Sequence, residues 1–545
     1  MHRLVGAAFA ALLLAGTSAC TKVSTGTSTG GEHSWTQPGV VRIALYATPN
    51  TLNPLLSSNS AENLLAALAF DELVSVDSKG NDVPQLAAEV PTLANGGISK
   101  DGLTLTYHLR KNVKWHDGAP FTSDDVKYSF EQVMNPNNNV VSKRGYDLVT
   151  SVSTPDKYTV VFRLKQPFAP AIETLFSESD QPYRIIPKHL LASYPNLNRV
   201  PFNGEPVGTG PFKFVKWVRG DRIEYAANPD YFLGKPKLDR IVVKIITDSN
   251  TQDTQMLNHE VDFVAEIGGP QYRDLSGKPD VVLNLANSPQ YEGIGINMAR
   301  APLNDPIVRQ ALAYALDKKT ITADTQYGTS VVATENIPGH SWAYNPNVDR
   351  FDYNPAKAGQ LLDGDGWKMG PGGICVKNGQ QLSLQFVYGQ GSTAAQNVGA
   401  LVQSELKAVG IDAPIKTYTF VLLYGPVQTG GIYNSGKFDI NLYAWVAGAD
   451  PDDSSQFTCP YVPPTGNNVF HFCNKEFDAA ENDALTHYDR PTRKAAYART
   501  QAIMAKEIPL VFLFWPKQRA ALSPDLRGYD SNGVTETWNA WQWSI

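Results

Sequence analysis

One hydrophobic core stops growing well short of 545 residues, so this chain must divide into lobes, and the seam between lobes is where a cleft can form. Two periodicities alternate along it, which narrows the choice to an α/β architecture with mixed sheets. Val41, Ile43 and Leu45 alternate with polar or small residues, the period of a half-buried strand, before a turn at Thr48-Pro49-Asn50. Leu103, Leu105, Tyr107 and Leu109 repeat the pattern and leave His108 on the opposite, solvated face. Tyr158, Val160, Phe162 and Leu164 add another strand.

Helical stripes lie between and beyond these strands. Thr122 with Asp125 three residues later approximates a capping box ahead of Val126, Phe130 and Val133. Asp305 and Pro306 make an N-cap and N1 pair for a helix whose apolar face includes Val308, Leu312 and Leu316. Val398, Leu401, Val402, Leu406 and Val409 mark a further helix, which Gly410 ends at the left-handed C′ position. No repeat of fixed period is present, which argues against solenoids and propellers.

The N-terminus limits where the fold must work. His2 and Arg3, the apolar stretch Leu4 to Leu14 and the small residues through Ala19 form a signal peptide, residues 1–20. Thr17-Ser18-Ala19-Cys20 resembles a lipobox, although Thr17 stands where an aliphatic residue is usual; lipid on Cys20 and a flexible tether over 21–35 are expected. No later window supplies about twenty apolar residues in a row. In an exported protein disulfides persist, and Cys459 and Cys473 bracket a short loop; their bridge would add about 3 kcal/mol in the chain-entropy model and leaves Cys375 unpaired.

Several motifs that suggest chemistry do not carry it. A net charge of -6 with no long run of like charge offers nothing to a phosphate backbone, so nucleic acid is not an expected partner. Gly208-Thr209-Gly210-Pro211 lacks the Lys of a phosphate loop and reads as a turn feeding a strand with Phe212 and Phe214. His116-Asp117-Gly118 has no partnered nucleophile, and Asp450, Asp452 and Asp453 lack the spacing of a calcium loop. The nine histidines fall into no metal pattern. No catalytic residue, metal or cofactor is expected, and the chain does not read as an enzyme.

The segment Tyr107 to Val126, Tyr-His-Leu-Arg-Lys-Asn-Val-Lys-Trp-His-Asp-Gly-Ala-Pro-Phe-Thr-Ser-Asp-Asp-Val, resembles the signature of the family 5 extracellular solute-binding proteins of bacterial ABC transporters, the oligopeptide, dipeptide and nickel type. Thr51-Leu52-Asn53-Pro54, Phe70-Asp71-Glu72-Leu73 and Pro84-Gln85-Leu86-Ala87 precede it in the family's order. Gly208 to Phe212, Asn297 to Asp317 and Trp445 to Pro451 follow in order, so the resemblance runs from about Val41 to the C-terminus. It implies a two-lobed, type II periplasmic-binding-protein-like fold with three domains, mixed sheets and a ligand cleft. Domain I is placed at 36–79, 201–290 and 515–545, domain II at 80–200 and domain III at 291–514.

The resemblance implies a substrate-binding component that captures a peptide by closing its lobes, as a monomer, and hands it to permease subunits in the cytoplasmic membrane. It places Ser58, Asn59 and Ser60 at the cleft, with a plain surface loop as the alternative. Trp445 is placed in the pocket rather than in a core, next to Ala447 and Gly448, and Phe514 is a further candidate. Peptide-binding members hold the ligand's amino group with a carboxylate three residues after the Trp, where this chain has Gly448. Either Asp450 or Asp452 substitutes for it, or the ligand has no free amine. An oligosaccharide stacked on Trp and Tyr is the alternative cargo; a secreted hydrolase or a signalling peptide receptor are the alternatives in role.

Overall fold

A computed structural model describes residues 33–57, 59–179 and 181–545 of the protein. The signal peptide, Cys20, most of the tether and Ser58 lie outside the described residues.

The alternating segments build a twelve-stranded mixed sheet. Its path runs through Ile415–Tyr418, Phe386–Gly389, Ile440–Val446, Gln290–Ile296 and Leu510–Leu522, and then through Phe263–Val264, Val40–Leu45, Arg240–Ile245, Arg222–Ala227 and Phe212–Val218. One long strand joins the halves. Leu510 to Phe514 of Leu510–Leu522 pair with Gln290–Ile296, whereas Lys517 to Leu522 pair with Val282–Asn287. Ser288 and Pro289 separate the two partner strands, and Pro516, opposite Ser330, interrupts donation to the ladder on the long one. The chain therefore crosses between halves at 287–290 and 514–517, and the register shifts beside Glu292.

Burial follows the same division. Val41, Ile43, Leu105, Tyr107, Trp115, Phe162 and Trp543 share one core, which the small antiparallel sheet of Thr104–His108, Thr159–Leu164 and Val149–Asp156 closes on one side. Val308, Leu312, Phe386, Val402 and Leu406 belong to a second core, and Tyr291, Tyr443, Phe470 and Phe512 to a third beside it. Each such aliphatic side chain contributes about 1.5–3 kcal/mol on full burial. The helices form where capping and periodicity predict them, at Ser123–Met134, Pro306–Ala315 and Thr393–Ala408. Asp305 caps the middle one by accepting from Ile307 N, and Gly410 takes φ +86° after the last.

The signature segment is structural. His116 accepts from Gly208 N at 3.2 Å through Nδ1 and donates from Nε2 to Gly210 O at 2.9 Å, which fixes it as a neutral imidazole. Burial pushes its pKa down to about 4. Gly208 is obligatory here because a Cβ would sit 1.7 Å from Ala69 O. Thr209 then donates to the buried Asp71 at 2.7 Å, so the turn from Gly208 to Pro211 is held by both His116 and Asp71.

Candidate functional site

Two cavities open along the seam between the halves, of about 550 and about 1090 Å³, and Val446 lines both. The strand Ile440–Val446 delivers Trp445 to the larger one, facing Arg144, Phe168 and Gln181 of the other half. Pro426, Asn434 and Tyr461 complete its rim. Ser60 and Asn63, at the start of the helix Ser60–Ala69, line the smaller one with Glu266, Glu292 and Arg519.

Beyond the cavities the halves touch directly. Arg144 donates to Asp452 at 2.6 Å, Ala449 N to Glu178 O at 3.2 Å, and Ala169 N to Leu485 O at 2.7 Å. Tyr488 adds a hydrogen bond from its hydroxyl to Gly102 O at 3.0 Å. The halves thus meet on the far side of a cleft that is walled on both sides.

The expected site residues distribute unevenly. Trp445 is half-buried and lines the larger cavity. Ser60 is exposed on the smaller one. Asn59 stands beside it but spends its side-chain oxygen as the helix N-cap, accepting from Glu62 N at 3.0 Å. Ala447 is held by its N–H on Pro289 O at 3.1 Å, next to the crossing point. Gly448 lines a small recess of about 30 Å³ with Asp450, Asp452 and Glu173.

Two placements need correction. Phe514 is fully buried in the second core and faces no cavity; the hydrophobic run Leu510 to Trp515 packs between layers on both faces. Asp450 is already paired. It receives Arg493 at 2.8 and 2.5 Å and the Tyr497 hydroxyl at 3.2 Å, all buried, so its carboxylate is not open to a ligand amine. Asp452 is likewise engaged by Arg144. The third carboxylate of the cluster, Asp453, takes Asn336 Nδ2 at 2.7 Å, and burial pushes its pKa up to about 7.

Sequence reasoning missed the ionisable groups of the smaller cavity. Burial pushes Glu292 up to about 7, opposed by Arg519. Glu266 is raised by burial and hydrogen-bonded to Tyr46, Glu536 and Ser60. The signal was partial: Glu292 stands between Tyr291 and Gly293-Ile294, and Arg519 follows Lys517 and Gln518 midway along a strand that is apolar at both ends. Among the described residues no group of three or more His, Cys, Asp or Glu could hold a metal ion.

The model of the bacterial extracellular solute-binding proteins, family 5 middle region, matches residues 83–468. The chain belongs to that family. Among family 5 relatives it is similar to the oligopeptide-binding protein AppA of Bacillus subtilis, with 28% identity over 515 residues, 93% of this chain and 92% of that one. The crystal structure of that AppA with a nonapeptide superimposes with a TM-score of 0.74 at 28% identity, over 93% of this chain and 99% of that one. NikZ of Campylobacter jejuni in complex with Ni(L-His) gives a TM-score of 0.77 at 28% identity, over 94% of this chain and 100% of that one. The α/β mixed-sheet fold is that of the family 5 binding proteins. Among the described residues no helix is long and apolar enough to cross a membrane.

Proposed function

We propose that this protein is the substrate-binding component of an ABC importer and that its solute is a peptide. The ligand lies between a lobe of residues 36–290 with 515–545, itself divided at 80–200, and a lobe of residues 291–514. The observation that carries the reading is the large cavity of about 1090 Å³, walled by Trp445 on one side and by Arg144, Phe168 and Gln181 on the other. Small-molecule pockets hold roughly 300–1,000 Å³, so this compartment together with its neighbour suits an extended ligand better than a compact one. A related protein of the same fold holds a nonapeptide.

Function follows from the two walls. A ligand that touches both is bound more tightly by the closed form, so it shifts the lobes toward closure, and the permease reads that state. The role needs no catalytic group, and the protein acts as a monomer without an enzymatic step. Export by the N-terminal leader and lipid on Cys20 would hold it at the outer face of the cytoplasmic membrane.

The test is thermal unfolding of the purified mature chain against di- to nonapeptides, oligosaccharides and nickel chelates. Free ligand at a hundred times its dissociation constant adds about 2.7 kcal/mol, which raises the midpoint measurably. Stabilisation by peptides supports the reading; stabilisation by sugars or chelates alone would replace the cargo and leave the carrier role.

A further inference from the structure

Arg519 projects into the smaller cavity from the long strand, just past the crossing between lobes. Its Nε donates to Thr329 Oγ1 at 2.5 Å and its Nη2 to Gln326 Oε1 at 3.1 Å. Both partners are neutral. Among the described residues Arg519 makes no ion pair; its hydrogen bonds go to Thr329 and Gln326. Lys517, two residues earlier on the same face of the strand, lines the same cavity and also has no ion pair among the described residues. Burial lowers the Arg519 pKa, yet a guanidinium stays protonated in any ordinary medium.

The acids of the cavity do not cancel this charge. Glu292 is the acid whose charge acts on Arg519, and burial pushes it to about 7, so near neutrality it is only partly ionised. Glu266 shares a hydrogen bond with Glu536, and both are raised by burial, so the pair favours keeping a proton. The first turn of the helix Thr393–Ala408 borders the same space and adds a field of the same sign as Arg519. A cation held in place by two neutral acceptors, with a donor face on an open cavity, is complementary to an anion that arrives from outside.

We propose that Arg519, supported by Lys517, is the subsite of the cleft that binds a carboxylate of the ligand. The proposal rests on the peptide reading, in which that group is the C-terminal carboxylate or an acidic side chain near it. Thr329 and Gln326 orient the guanidinium, and Thr329 is itself held against the long strand by the Lys517 N–H on its carbonyl at 3.0 Å.

The experiment titrates one peptide series twice, with free C-terminal acids and with C-terminal amides, by calorimetry on wild type, Arg519→Gln and Arg519→Lys. The wild type prefers the acid by on the order of 10- to 100-fold, as expected for a charge-assisted contact. Arg519→Gln binds acid and amide alike, and Arg519→Lys keeps part of the preference. Equal binding of acid and amide by the wild type, or a preference that survives in Arg519→Gln, overturns the assignment. Should Arg519→Gln not fold, the wild type and Arg519→Lys decide it. If no peptide of either form binds, the peptide reading fails by itself, and 4-phenylbutyrate against its amide then decides the carboxylate site.

Discussion

Changing Asp450 to Asn separates a structural role from a ligand-binding one. Asp450 receives Arg493 Nη2 on both oxygens, at 2.8 and 2.5 Å, and the side chains are 7% and 8% exposed. Arg493 is otherwise held by its Nε on Ala484 O at 2.8 Å and has the Tyr497 ring beside it. The amide keeps the shape and one acceptor but removes the negative charge, leaving a buried guanidinium without its counter-ion. Breaking a buried pair in this way costs about 3–5 kcal/mol. For a lobe of some 220 residues, about 2–4 °C of midpoint per kcal/mol gives a fall of roughly 6–20 °C. Urea denaturation followed by tryptophan fluorescence measures the loss, and calorimetry on the folded variant measures ligand affinity. The reasoning requires a large stability loss with affinity within about threefold of wild type at temperatures where the variant is folded. A variant as stable as wild type that has lost its ligand would refute it and make Asp450 a ligand clamp.

Trp445→Ala should do the reverse: Trp445 is half-buried on the cavity wall, so affinity falls by about 2–3 kcal/mol in calorimetry while the unliganded midpoint moves little. Asp452→Asn removes the Arg144 contact across the seam, in which Arg144 is 31% exposed, so solvent screening limits the effect to about 1 kcal/mol, seen as a larger ligand-free radius in small-angle scattering. His116 is held neutral by burial with its pKa down at about 4, below the ordinary 6.5. Its contribution is therefore complete above pH 6.5 and is lost as pH falls through 4. Over that window the wild type should lose about 3 kcal/mol more in urea titrations than His116→Asn does. A parallel pH dependence of the two would count against the neutral imidazole.

What could be read from the chain was local. Alternation announced the strands Val40–Leu45 and Thr104–His108, and capping announced the helix after Asp305, because each rests on neighbours a few residues away. The site was legible only in part. Trp445 was findable from the resemblance, but the run containing Phe514 has no alternation, and such a run buries both faces without saying which neighbours it meets. The aspartate cluster was misread for a related reason. Asp450 finds Arg493 43 residues on, and Asp452 finds Arg144 at a separation of 308, so the partners that decide their roles are set by tertiary packing. Glu292 and the Lys517-Gln518-Arg519 run are polar stretches inside strands, and only the pairing of Leu510–Leu522 with two successive strands puts them at the seam.

That seam also explains why binding can be read as motion. The chain crosses it at 287–290 and at 514–517, where Pro289 and Pro516 have no N–H to donate and the partner of the long strand changes, with Ser330–Val332 pairing with Phe514 to Pro516 at the crossing. The contacts that close the far side include the packing of Leu485 and Tyr488 on the first core, hydrogen bonds, and one partly exposed ion pair, Arg144 with Asp452, worth about 0–1 kcal/mol for the pair. Moving a population from 1:99 to 99:1 takes about 5.5 kcal/mol of differential binding, and a micromolar ligand has roughly 8 kcal/mol in all. A solute that reaches both Trp445 and Arg519 can supply that difference only if most of its contacts exist in the closed form alone. Walls contributed by both lobes on each cavity meet that condition.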